Sequence, residues 1–123
     1  MRKDILIVDD DPGVIYTIKR GLEILDKKYN VLAVESGVEC LELLEKGFKG
    51  ILLIDIMMPN MDGWDTIREI VNRGLKKNVE ILVITAVGTS NHEKMKGLEP
   101  YIYDYIAKPF DVNTIVESVK RLN

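Results

Sequence analysis

Short apolar runs and stretches of helical period alternate along the chain. The runs lie at Ile5–Val8, Val31–Val34, Ile51–Ile54, Ile81–Ile84 and Tyr105–Ala107. Their length and branched residues suit buried strands, and three are almost wholly apolar, as strands covered on both faces should be. Between them, Ile15, Ile18, Leu22 and Leu25 share one face of a helix, and Val112, Ile115, Val116, Val119 and Leu122 share one face of another. The boundaries carry chemical signals. Asp11-Pro12 reads as an N-cap followed by proline at the first helical position. Ser36 with Glu39 and Ser90 with Glu93 have capping-box spacing, and Gly47, Gly74 and Gly97 stand where helices should end. The fourth helix is the least supported, with only Met95 and Leu98 as apolar anchors.

The order is βαβαβαβαβα, with no linker, repeat or low-complexity stretch. Parallel strands joined by right-handed crossovers form an open sheet with helices on both faces. The chain therefore reads as an α/β domain, a doubly wound five-stranded parallel sheet of (βα)5 type. Composition adds a few constraints. At 123 residues and 46% apolar, the chain fits one domain whose core needs neither disulfide nor structural metal. Cys40 is the single cysteine and reads as a small buried or half-buried helix residue; His92 is the single histidine and reads as an exposed loop or helix-start residue. Net charge is −3, from 17 basic and 20 acidic side chains, and the scattered basic residues form no nucleic-acid-binding stripe. No segment reaches the ~20 apolar residues needed to span a bilayer. The apolar run after Met1-Arg2-Lys3-Asp4 is too short for a secretory signal, which points to the cytoplasm.

In folds of this kind ligands bind at the carboxyl ends of the strands, where the strand order reverses. Chemistry gathers there in this chain. The first strand ends in Asp9-Asp10-Asp11, and the third in Asp55 followed by Ile56-Met57-Met58-Pro59-Asn60-Met61-Asp62-Gly63. The fourth ends in Thr85-Ala86 and the fifth in Lys108-Pro109-Phe110. Carboxylates crowded on one edge repel, and without a counter-ion at least one pKa must rise. Mg²⁺, a hard ion that accepts few protein oxygens and several waters, removes that cost. Lys108 adds a compact positive charge and Thr85 a hydroxyl able to turn toward an anion. This is the equipment of phosphoryl transfer, in which an attacking carboxylate becomes an acyl phosphate. Taken singly, each piece has an ordinary explanation: Asp11 as a cap, Asp62 before Gly63 as a cap or turn, Thr85 as a strand-end threonine, Lys108 as a solvated lysine. Their joint placement at four strand ends is the informative feature.

The segments I-L-I-V-D-D-D-P, L-I-D-I-M-M-P-N-M-D-G, V-I-T-A and Y-I-A-K-P-F resemble the receiver domains of bacterial and archaeal response regulators. The likeness runs from Lys3 to Leu122. It implies the flavodoxin-like, CheY-like strand order 2-1-3-4-5 and a protein of two-component signal transduction. Residue by residue, it makes Asp55 the phosphoacceptor, Asp10 a direct Mg²⁺ ligand, and Asp9 an acid holding the metal mainly through water. Asp55 itself and the backbone carbonyl of Met57 are further metal ligands. Thr85 matches the switch hydroxyl and Lys108 the lysine that pairs with the phosphate, with a cis bond to Pro109. Tyr105 matches the aromatic whose rotamer follows Thr85. Met57 and Val87 flank the path of the water that removes the phosphoryl group, and neither can hydrogen-bond that water, which implies a long-lived phosphorylated state. The segment Tyr101-Ile102-Tyr103-Asp104 departs from the family's frequent Gly-Ala-Asp-Asp and puts the shape of the fourth helix and its exit in question.

The leading expectation is a phosphorylation-activated signalling switch spanning residues 1–123 as one receiver domain, with no output domain in this chain. Its partners would be a histidine kinase or phosphotransfer protein and a downstream protein target. Nucleic acid and membrane insertion are not expected, and the state is a monomer or a weak phosphorylation-dependent dimer. It would modify itself, without turning over external substrates. One alternative is an interaction module of the same fold that works without phosphorylation. The other is an aspartyl-phosphate hydrolase, for which Asp9 and Asp11 have Asp-x-Asp spacing, but Pro12 intervenes and no cap insertion exists. The large residues Tyr101, Ile102, Tyr103 and Tyr105 mark the face around the fourth helix, fifth strand and fifth helix as a docking surface, unless Ile102 and Tyr103 fill the core.

Overall fold

The computed structural model describes residues 3–25, 29–86 and 92–122. Among these residues five strands alternate with five α-helices: β1 (Lys3–Val8), α1 (Pro12–Leu25), β2 (Tyr29–Val34), α2 (Gly37–Glu45), β3 (Gly50–Asp55), α3 (Gly63–Asn72), β4 (Val79–Ala86), α4 (His92–Met95), β5 (Ile102–Lys108) and α5 (Val112–Arg121). Single 3-10 turns at Lys76–Asn78 and Glu99–Tyr101 precede β4 and β5. The strands pair in parallel in the order β2-β1-β3-β4-β5.

Side-chain alternation along the inner strands divides the core into two layers. Leu6 and Val8 face α2 and α3, whereas Ile5 and Ile7 face α1 and α5. Leu52 and Ile54 repeat the first direction on β3, and Ile51 and Leu53 the second. Both sets are fully buried, which is why these strands read as continuous apolar runs. Burying each such side chain contributes about 1.5–3 kcal/mol. Ile18 and Leu22 of α1 and Ile115 and Val119 of α5 close the second layer with no exposure. Cys40 on α2 is likewise buried, and burial pushes its thiol pKa up to about 12.

Helix ends follow local chemistry. Asp11 Oδ1 accepts the Gly13 N–H at 2.8 Å at the start of α1, and Gly47, Gly74 and Gly97 take φ values of 105°, 72° and 85° just beyond α2, α3 and α4. Ser36 Oγ accepts the Glu39 N–H at 3.2 Å, but its own O–H donates to Glu39 Oε1 at 3.1 Å. The reciprocal box lies instead at Asp62 and Asp65. Ser90 falls outside the described residues, as do Val87 and the side chain of His92, the first residue of α4.

β5 differs most from its sequence pattern. It begins at Ile102, and the pairing with β4 slips by one residue, Ile81 matching Ile102 while Leu82 matches Asp104. The extra residue, Tyr103, forms a bulge that reverses which face the later side chains take. Ile102 thus packs into the α3 layer and Ile106 into the α5 layer, although equal spacing would put both on one face. Asp104 turns toward α5, where Ser118 Oγ lies at 3.5 Å and Arg121 Nη1 at 3.7 Å. Tyr103 and Tyr105 remain exposed, so of the two residues in question only Ile102 contributes to the core.

Candidate functional site

The parallel register brings four strand ends to one edge of the sheet. Beyond Val8, the Asp9 N–H donates to Val34 O at 3.2 Å, which keeps Asp9 buried while Asp10 turns to solvent. Asp55 closes β3 opposite Ile84, one residue before Thr85, and is 2% exposed. Thr85 and Ala86 pair with Ala107 and Lys108. The Lys108–Pro109 peptide is cis, as the sequence likeness implied.

Asp55 is held from two sides. Its Oδ1 accepts the Met57 N–H at 2.9 Å, and its Oδ2 accepts from Lys108 Nζ at 2.6 Å. Asp9 Oδ1 accepts the Asp11 N–H at 2.9 Å, but Asp9 Oδ2 is buried with no partner among the described residues. One carboxylate oxygen from each of Asp9, Asp10 and Asp55 falls within 4.8 Å of the others. Burial raises the Asp9 pKa from 3.8 to about 6; the Asp11 N–H opposes this, and the neighbouring Asp55 carboxylate adds to it. Burial acts to lower the Lys108 pKa, but its hydrogen bond to Asp55 and the surrounding carboxylates leave it above the ordinary lysine value.

An orphaned carboxylate oxygen beside two further carboxylates is a hard donor set that suits a hard divalent cation. The electrostatic strain of the pocket therefore falls on buried Asp9 more than on exposed Asp10. Thr85 spends its hydroxyl on a long 3.4 Å contact with Ala86 O, which leaves it free to turn. Met57 meets the site through its backbone, and the residue is 54% exposed. Tyr105 points outward, with its hydroxyl 3.9 Å from Met95 Sδ on α4.

Asp11 and Asp62 act as helix caps and stand apart from the acidic group. Sequence reasoning missed Lys94, whose Nζ lies 2.7 Å from Asp62 Oδ2 across 32 residues, a separation no local pattern marks. It also missed the role of Gly63. A Cβ there would sit 2.6 Å from Ile56 Cα and 2.7 Å from Asp55 O, so α3 starts directly against the strand end that carries Asp55. The Asp62-Gly63 pair was the available signal. No helix among the described residues is long and apolar enough to cross a membrane.

Comparison with known proteins agrees with this fold. Residues 5–120 match the family model described as the response regulator receiver domain. The response regulator MprA of Mycobacterium tuberculosis is 34% identical over 118 residues, which make up 96% of this chain and 49% of the relative, so the chain spans about half that protein's length. The CheY-like receiver domain protein of Methanospirillum hungatei superposes with a TM-score of 0.91 at 41% identity, covering 99% of this chain and 94% of the other. A putative response regulator from Chloroflexus aurantiacus gives a TM-score of 0.84 at 32% identity, covering 99% and 98%. Strand order, the polar strand ends and these relatives agree: the chain belongs to the response regulator receiver domain family.

Proposed function

We propose that the chain is a phosphorylation-activated switch that accepts a phosphoryl group on Asp55 from a histidine kinase or phosphotransfer protein, with Mg²⁺ as cofactor. The observation that carries this reading is a buried Asp55 held by Lys108 at 2.6 Å beside the Asp9–Asp10 pair. The Met57 N–H and Lys108 orient the carboxylate for in-line attack. An Asp55 oxygen forms a bond to phosphorus as the bond from phosphorus to the donor's imidazole nitrogen breaks, and the electron pair leaves with the imidazole. Lys108 then pairs with a phosphoryl oxygen, and the Thr85 hydroxyl rotates to donate to another. Mg²⁺ held by Asp9, Asp10, Asp55 and the Met57 carbonyl would neutralise the crowded carboxylates and the incoming phosphoryl charge.

Thr85 rotation would change the space available to Tyr105, making the face of α4, β5 and α5 the output surface for a downstream protein. Tyr101, Tyr103 and Tyr105 are 37%, 46% and 42% exposed there, which suits a contact surface. We further propose a cytoplasmic chain that is monomeric or a weak phosphorylation-dependent dimer, binds no nucleic acid through this domain and turns over no external substrate. Incubation with Mg²⁺ and acetyl phosphate tests the central step. Intact-mass measurement should show one phosphate on the wild type and none on Asp55→Asn, which keeps the shape and removes the nucleophile. A full adduct on the variant refutes the site, and no adduct on the wild type favours a phosphorylation-independent module.

A further inference from the structure

α4 is a single turn with few apolar anchors: Leu98 beyond it is buried, and Met95 is half-buried against the α3 layer. Its polar ties are better defined. Lys94 Nζ lies 2.7 Å from Asp62 Oδ2 and 3.4 Å from each Asp65 oxygen, and Arg68 Nη2 of α3 donates to the Lys94 carbonyl at 3.0 Å. Asp62 belongs to the loop that starts at Asp55. That loop is fastened to the Asp55 carboxylate by the Met57 N–H at 2.9 Å, and it closes where the Gly63 N–H donates to Ile56 O, also at 2.9 Å. On the far side of α4, the Tyr105 hydroxyl reaches Met95 Sδ. Adjacent residues of one turn therefore touch the phosphoacceptor loop and the exposed tyrosine face.

We infer that Lys94 is a positioning residue whose ion pair with Asp62 and Asp65 latches α4 to the β3–α3 loop and favours the resting arrangement, so that the state of Asp55 reaches the Tyr105 face through this loop. The inference rests on Asp55 being the phosphoacceptor. The Lys94 side chain is 43% exposed and those of Asp62 and Asp65 are 24% and 40% exposed, so the tie is modest, about two- to fivefold in an equilibrium between latched and released α4. That factor matters because, among the described residues, the apolar anchoring of α4 rests on Met95 and the following Leu98. Coupling is reciprocal: a tie that favours the resting arrangement must be overcome on phosphorylation, and removing it should ease the reaction.

The test compares wild type, Lys94→Met, which keeps the stem and loses the charge, and Lys94→Arg, which keeps the charge. Hydrogen exchange is followed at the amides of Leu98 and Tyr101, which donate at 2.9 Å to the Met95 and Leu98 carbonyls. The initial rate of phosphoryl uptake from acetyl phosphate is measured at fixed Mg²⁺ in 0.1 M and 1 M NaCl. Lys94→Met should raise both exchange and uptake about two- to fivefold, and Lys94→Arg should restore both. High salt, which cuts the screening length from about 10 Å to about 3 Å, should move wild type toward the Met variant and leave that variant in place. Unchanged exchange in Lys94→Met overturns the latch. Faster exchange with unchanged uptake overturns the coupling and leaves a mere structural tether. A wild type that takes up no phosphate overturns instead the functional reading beneath the inference.

Discussion

Gly63→Ala should both destabilise the fold and slow phosphoryl uptake. The added Cβ would stand 2.6 Å from Ile56 Cα and 2.7 Å from Asp55 O. Carbon pairs rest at roughly 3.5–4.0 Å, so backbone must retreat by about 0.9 Å. Neither obstacle is a side chain that can rotate away. The Gly63 N–H also donates to Ile56 O at 2.9 Å, so the retreat strains the bond that closes the loop. Overpacking of this kind costs about 1–3 kcal/mol. Alanine's better helix propensity returns at most ~1 kcal/mol, and less at the first position of a helix. A net loss of about 1–2 kcal/mol, with a urea slope of roughly 2 kcal/mol per molar, lowers the unfolding midpoint by about 0.5–1 M. The second effect is geometric. The displaced strand end carries the Asp55 carboxylate, and a shift approaching 1 Å at a reacting group can cost on the order of a hundredfold in rate. Urea titration by circular dichroism and acetyl phosphate uptake by intact mass would be run on the same preparation. An unchanged midpoint together with an unchanged uptake rate would falsify the idea that α3 is docked against the Asp55 backbone.

Asp10→Asn should weaken Mg²⁺ binding more than Asp11→Asn, since Asp11 caps α1, and metal titrations giving the reverse ranking would reject that division. Asp9→Asn, relieving the buried and crowded acid, should raise the melting temperature in EDTA, where a fall would show that Asp9 is not the strained member. Met57→Asn with Val87→Glu should shorten the life of the phosphorylated state at fixed Mg²⁺, since both supply groups able to orient an attacking water; an equal or slower loss of phosphate removes the argument. For Asp62, burial raises the carboxyl pKa, but the hydrogen bonds from Lys94 and the Asp65 N–H outweigh it and hold it below the ordinary 3.8. A depressed carboxyl contributes stability above its unfolded value and loses it as pH falls through the lowered one. The Asp62 carboxyl carbon should therefore titrate below 3.8 by NMR and shift upward in Lys94→Met, and coincident curves in the two proteins would contradict the pairing.

The inner strands were legible because fully buried parallel strands carry uninterrupted apolar runs, as Ile5–Val8 and Ile51–Ile54 do. Helices declared themselves through Asp11-Pro12 and the terminal glycines. The placement of Asp9, Asp10, Asp55 and Lys108 on one edge followed from topology alone, since every parallel strand ends at the same side. What stayed hidden depends on distance in sequence or on register. The Lys94–Asp62 contact spans 32 residues, and which of three adjacent aspartates is buried turns on one backbone bond from Asp9 to Val34 O. β5 was under-read because the bulge at Tyr103 breaks the alternation by which a strand is recognised. The box at Asp62 was read only as a cap or turn, because aspartate at its fourth position stands in for the usual glutamate.

The bulge at Tyr103 also bears on how this chain can vary over evolutionary time. A slip in pairing works as a slack joint. It should absorb changes of spacing between α4 and the edge of the sheet before they reach the carboxyl half of β5. From Asp104 to Lys108 the pairing with β4 is unbroken, so the interval between the aromatic at 105 and the lysine at 108 stays constant. The segment upstream, Tyr101-Ile102-Tyr103, is then released to drift. Mutational tolerance along this edge should accordingly be lopsided, generous before the joint and strict after it. Substitutions at 101 to 103 should then leave the register from Asp104 to Lys108 untouched.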